Sequence, residues 1–254
     1  MTLVGEIYEY IDSFAPFAEA MGFDNVGLLA GDSHKPVETA VLALDITLEV
    51  VEEAQQAGAQ LIVSHHPVIF APLRRLSSNS VPWKLASCGI SAICAHTNLD
   101  MAFDGGVNDA LSRSLLLKER RGICPNGSGF EGIVGEVSQE MSPAAFAAFV
   151  KASLGCGGVR FVPGKQNVTT VGLCSGAGAD CMEAAVSAGA NAFVTGEVKH
   201  HQFLLAKELG ITLVEAGHFY TENVVIPQLA QRLREKFPEI TWVESQAKAP
   251  EQYC

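Results

Sequence analysis

Leu61-Ile62-Val63-Ser64-His65-His66-Pro67 is a short apolar run that ends in two adjacent imidazoles and a proline. A run of this length and composition reads as a buried strand. It cannot extend past Pro67, because proline brings no N–H to a ladder. The histidines therefore stand at the carboxyl end of the strand, the edge at which open parallel α/β sheets bind ligands. Successive strand residues point to opposite faces, so a single ion can take both imidazoles only if the backbone turns at the pair. Pro67 permits that turn.

Working outward, the run belongs to a strand-helix-strand series. Strand-like segments at 40–44, 59–63 and 90–95 are separated by helical patterns at 47–57 and 83–87, each of which stops at a glycine (Gly58, Gly89). A helix interrupted near Pro16 precedes the series, and another at 107–117 follows it. The second half repeats the order. Residues 170–175 parallel 40–45, residues 183–195 parallel 52–64 without a gap, and the helix ending at Gly210 with strand 211–216 parallels the helix ending at Gly89 with strand 90–95. Between the halves, Cys124-Pro125-Asn126-Gly127-Ser128-Gly129 has the composition of a linker. The expected architecture is α/β, with two facing lobes, 1–124 and 125–254, built on related repeats, and a C-terminal helix able to pack across both.

The repeat sharpens the chemistry. The third strand of the first half ends in His96, with Asp100 four residues on; the third strand of the second half ends in His218, with Glu222 four residues on. Four residues is one helical turn, so each imidazole and carboxylate share a face. Alone, any of these histidines fits a core or surface role. Their recurrence at equivalent strand ends favours joint metal binding, because independent core histidines have no reason to fall there. Imidazole and carboxylate together suit Zn, Fe, Mn and related divalent ions. His65, His66, His96, Asp100, His218 and Glu222 are enough for two ions bridged by a carboxylate, an arrangement suited to hydrolysis. On this reading neither lobe binds both ions without the other.

Two features are weaker. Lys199, His200 and His201 follow the strand equivalent to the one before His65, and His201 can carry a proton or simply be solvated. Cys174-Ser175-Gly176-Ala177-Gly178 is a glycine-rich turn that can present N–H groups to an anion, but it lacks the Lys-Ser/Thr of a P-loop. His34 has no partner of this kind and reads as a surface residue.

Composition narrows the class. The 254 residues are 48% hydrophobic and carry a net charge of −11, which opposes attraction to nucleic-acid phosphates. The basic cluster Lys118-Glu119-Arg120-Arg121 reads as a complement to the C-terminal dipole of the preceding helix. Neither a signal peptide nor a membrane span is apparent, so a cytoplasmic protein is expected. Seven scattered cysteines without a C-x-x-C pair suggest neither a disulfide framework nor a zinc ribbon.

Five ordered motifs carry a resemblance over residues 3–245: Asp24-Asn25-Val26-Gly27-Leu28; Ser64-His65-His66-Pro67; His96-Thr97-Asn98-Leu99-Asp100 with Gly105-Gly106-Val107-Asn108-Asp109; Thr195-Gly196-Glu197-Val198-Lys199-His200-His201; and Gly217-His218-Phe219-Tyr220-Thr221-Glu222. Together they resemble the Nif-three-like family, also called GTP cyclohydrolase I type II homologues. The resemblance implies two α/β lobes, a dinuclear divalent-metal site held by His65, His66, Asp100, His218 and Glu222, His96 as a neighbour of the ligands, and a ring-like homohexamer. His200 stands where the family more often has tyrosine. The implied activity is that of a metal-dependent hydrolase acting on a small nucleotide-like substrate; the alternative is a noncatalytic metal-handling or regulatory protein. Either His96 or His201 is a candidate proton shuttle.

Overall fold

The computed structural model describes residues 1–253. Along the chain, helices and strands run α1 (Val4–Asp12), β1 (Gly27–Ala30), β2 (Thr39–Ala43), α2 (Leu48–Gln56), β3 (Leu61–Ser64), α3 (Val81–Cys88), β4 (Ser91–Cys94), α4 (Thr97–Met101), α5 (Val107–Ser114), β5 (Lys118–Asn126), β6 (Gly129–Met141) and α6 (Pro143–Leu154). They continue with β7 (Arg160–Val162), β8 (Val168–Leu173), α7 (Met182–Ser187), β9 (Ala192–Thr195), α8 (His200–Leu209), β10 (Thr212–Glu215), α9 (His218–Glu222), α10 (Val225–Lys236) and β11 (Thr241–Glu244). Among the described residues no helix is long and apolar enough to cross a membrane.

Two compact units emerge. The first comprises Met1–Leu99 and Ile226–Lys248; the second comprises Asp100–Val225 and the residues from 249 onward. The division thus falls inside α4 and at the start of α10, not at 124/125. The stretch from Cys124 to Gly129 is no linker: Gly127 and Ser128 turn a hairpin whose arms pair Asn126 with Gly129 and Ile123 with Gly132. The basic cluster likewise lies on β5 rather than at a helix end, where Arg120 pairs with Asp109 and Arg121 donates to the Ala188 carbonyl. The C-terminal helix returns to the first unit, where Arg232 lies 3.9 Å over the Phe14 ring.

The first unit's sheet has the order β1-β4-β3-β2-β11, and the second's β5-β6-β8-β9-β10-β7. In both, three successive strands lie parallel: β2, β3 and β4 in one, β8, β9 and β10 in the other. An antiparallel edge strand then flanks the third, β1 on β4 and β7 on β10. The repeat read from the sequence is therefore a repeat of topology. β3, β4 and β9 are buried along their whole length, as befits parallel strands covered on both faces. Local chemistry sets the helices between them. Thr47 caps α2, its hydroxyl accepting from the Val50 N–H at 3.2 Å, and the helix buries Val50, Val51 and Ala54 on the sheet. Ser142 caps α6 in the same way, with Pro143 in the first turn.

Candidate metal centre

Because β2, β3 and β4 run parallel, their carboxyl ends lie along one edge, and the first unit collects its histidines there. His65 is buried and His66 half-buried, just past β3; His96 follows β4. The three rings lie 4.9, 5.1 and 5.5 Å apart, centroid to centroid, and each offers a nitrogen within 4.8 Å of the others.

Each ring is held through Nδ1. His65 Nδ1 meets the Ala95 carbonyl at 2.9 Å, His66 Nδ1 meets Asp45 at 2.7 Å, and His96 Nδ1 meets Asp24 at 2.9 Å. A carbonyl or carboxylate only accepts, so Nδ1 carries the proton and donates. In the neutral ring that leaves the lone pair on Nε2, the form a metal requires. Asp24 reaches His96 because β1 runs antiparallel to β4, with Gly27 opposite Cys94, which brings the residues before β1 to the carboxyl end of β4. The Asp24 side chain is fully buried and also accepts from the Thr97 hydroxyl at 2.6 Å and the Thr97 N–H at 3.1 Å. Burial alone would raise its pKa; the bonds from His96 and Thr97 outweigh it and hold the carboxyl well below the usual range.

The second unit builds a counterpart. His218 and Glu222 occupy the two ends of α9, with His218 Nε2 2.9 Å from a Glu222 oxygen. His218 Nδ1 meets Glu197 at 2.7 Å. Glu222 is buried, and its carboxylate lies within 4.8 Å of that of Asp100. Asp100 is fixed by Asn108, which donates to its backbone carbonyl at 3.1 Å and accepts from the Ser175 N–H at 2.8 Å. Gly176 makes room for Glu222: it has φ +55°, and a Cβ there would lie 2.1 Å from a Glu222 oxygen. The backbone must pass the carboxylate closely, and only glycine allows it.

Part of the glycine-rich turn at 174–178 is spent inside the fold, Ser175 N–H on Asn108 and Gly176 N–H on Thr221 Oγ1 at 3.1 Å. The turn packs against Glu222 of α9. His200 and His201 are exposed on the first turn of α8. His34 is a surface residue.

Sequence reasoning passed over the carboxylates that orient the rings, although a signal existed. Asp45 stands two residues past β2 and Glu197 two past β9, and each binds a histidine 21 residues downstream, past the next parallel strand. The spacing is one βα unit in both halves. Asp45→Asn keeps the shape but weakens the hold on His66, and should lower metal affinity about 10–100-fold, the usual cost of losing such an outer partner. Chelator competition reads that change, and since Asp45 is half-exposed, the melting temperature should stay put.

The profile of the Duf34/NIF3 (NGG1p interacting factor 3) family matches residues 2–250. The chain belongs to that family. It is 31% identical over 243 residues to a GTP cyclohydrolase 1 type 2 homolog of Clostridium perfringens, covering 92% of each chain. It is 29% identical to a protein of Helicobacter pylori strain J99 named GTP cyclohydrolase 1 type 2, covering 88% of each. Among solved structures it superposes on a hypothetical protein of Staphylococcus aureus with a TM-score of 0.92 at 30% identity, covering 100% of this chain and 99% of that one. It also superposes on reduced HcgD from Methanocaldococcus jannaschii with a TM-score of 0.78 at 26% identity, covering 97% and 98%.

Proposed function

We propose that this family member is a metal-dependent hydrolase in which His65, His66, Asp100, His218 and Glu222 hold two divalent ions, with Glu222 as the bridging carboxylate and a small nucleotide-like molecule as substrate. The observation that carries the reading is the common treatment of four histidines. His65, His66, His96 and His218 each have Nδ1 against an acceptor, which turns Nε2 toward a metal, and the first three, unlike the exposed His34, converge with nitrogens within 4.8 Å of one another. The names of the C. perfringens and H. pylori relatives support the substrate class. Ring-like assembly of six copies is part of the same proposal.

Divalent ions in such a donor set supply Lewis acidity and make water acidic enough to react near neutral pH. The chain's own residues do the rest. Asp24, Asp45, Glu197 and the Ala95 carbonyl hold the rings, so little reorganisation is left for the moment of reaction. His96, fixed by Asp24 beside His65 and His66, takes and returns a proton at Nε2; His201 is the alternative carrier. The test is metal content per chain together with turnover on a panel of nucleotides and phosphoesters. Stoichiometric metal with turnover on the panel is expected. Ready transfer of the metal to apo-acceptor proteins without turnover would instead assign a metal-handling role.

A further inference from the structure

In the first unit two large apolar rings, Phe23 and Phe70, are left in solvent, 64% and 54% exposed. Their centroids lie 6.4 Å apart with the planes tilted by 53°, and the Phe70 and His96 rings meet nearly at right angles, 6.5 Å between centroids. Both are anchored through their neighbours. Phe23 precedes Asp24, which accepts from His96 and Thr97, and Phe70 follows Ile69, whose carbonyl accepts from the Asn25 side chain. The fold thus keeps two aromatic rings in water beside His96, although burying such surface is favourable.

The segment that carries Phe70 has the charge of an anion site. Residues 65–80, between β3 and α3, contain no helix or strand, and connections longer than about 12–15 residues in compact domains usually serve binding. Arg74 and Arg75 are exposed on this segment, and no ion pair among the described residues engages them. From Ala54 to Leu99 the sequence holds no Asp or Glu, in a chain that has 28 of them and a net charge of −11. The carboxylates nearest these histidines are already taken, Asp24 by His96 and Asp45 by His66. An anion is therefore drawn to this segment of a chain whose net charge repels it.

We propose that Phe23 and Phe70 form the base platform of a mononucleotide site, with Arg74 and Arg75 as its phosphate contacts; the site takes its place beside a reacting centre from the hydrolase reading above. A nucleobase has a π-face that stacks on an exposed aromatic ring whatever its sequence of polar groups, and a guanidinium pairs with phosphate oxygens through two N–H groups. Stacking on Phe70 puts the base, not the phosphate, next to His96. A sugar phosphate without a base gains nothing from the platform. The net negative charge of the chain opposes a longer nucleic acid, which would bring many more phosphates to it.

The test is isothermal titration calorimetry of the full chain with guanosine 5′-monophosphate, guanosine, ribose 5-phosphate and oligothymidylate. The monophosphate should bind at least about fivefold more tightly than ribose 5-phosphate, the lower end of what one base-aromatic stack contributes. Phe70→Ala should erase that margin and Phe70→Trp should keep it. Replacing Arg74 and Arg75 together by Gln should weaken guanosine 5′-monophosphate and ribose 5-phosphate alike and leave guanosine unchanged. Equal wild-type affinity for guanosine 5′-monophosphate and ribose 5-phosphate, undiminished nucleotide affinity in Phe70→Ala, or tighter binding of oligothymidylate than of the mononucleotide overturns the proposal. Metal content and turnover are read on the same preparations, so that their absence with the nucleotide pattern intact counts against the hydrolase reading and not against the platform. The wild-type comparison decides the question even if a variant folds poorly.

Discussion

His218→Ala and His65→Ala are each expected to leave the purified chain with at most half the metal of the wild type after equilibration with a weak chelator, read by inductively coupled plasma mass spectrometry. On the proposed ligand set both variants remove a direct donor, so the loss of affinity should exceed the roughly 10–100-fold that outer partners cost. Folding should survive. His218 is partly exposed at the start of α9, and although His65 is buried, the strand that carries it is already closed on both sides by β2 and β4. His34→Ala is the matched control, since that side chain is 88% exposed, and it should retain full metal. If His65→Ala and His218→Ala both keep the wild-type content, the ligand set is wrong.

The histidines and carboxylates of the proposed set could be picked out in the sequence because two different periodicities met at the same residues. Parallel strands buried on both faces write continuous apolar runs, and the residue after each run stands at the sheet's carboxyl edge whatever the rest of the chain does. The His-x-x-x-acid spacing then fixes a shared helical face, as α9 shows for His218 and Glu222. The strands outside the parallel series were harder to read. β1 and β11 owe their state to ladder partners distant in sequence, and β5 to a hairpin with β6, so the local pattern around Lys118–Arg121 looked like a helix end and the Pro-Asn-Gly turn after it looked like a linker. The same distance hid Asp24, whose role depends on where β1 docks and not on its neighbours in sequence. Asp45 and Glu197 were recoverable, since both follow from applying the βα repeat to carboxylates as well as to histidines.

The substitution that separates a hydrolase from a metal carrier is Glu222→Gln. The amide keeps the size of the carboxylate and one acceptor oxygen, so it fits the space that Gly176 leaves, and circular dichroism should show little loss of fold. What it removes is negative charge at a buried position, where charge acts most strongly because the surroundings screen it least. A bridging carboxylate would need that charge to hold two cations close together. Turnover on the active member of the substrate panel should therefore fall at least about 100-fold, the scale on which losing one preorganised electrostatic group lowers kcat. Metal content should fall less steeply, because the histidines and Asp100 remain. A protein whose work is only to hold and release metal gives the reverse pattern: metal exchange becomes faster in Glu222→Gln, and no turnover exists to be lost. Measuring both quantities on one preparation tells the two apart, since the hydrolase reading requires turnover to fall further than metal occupancy does.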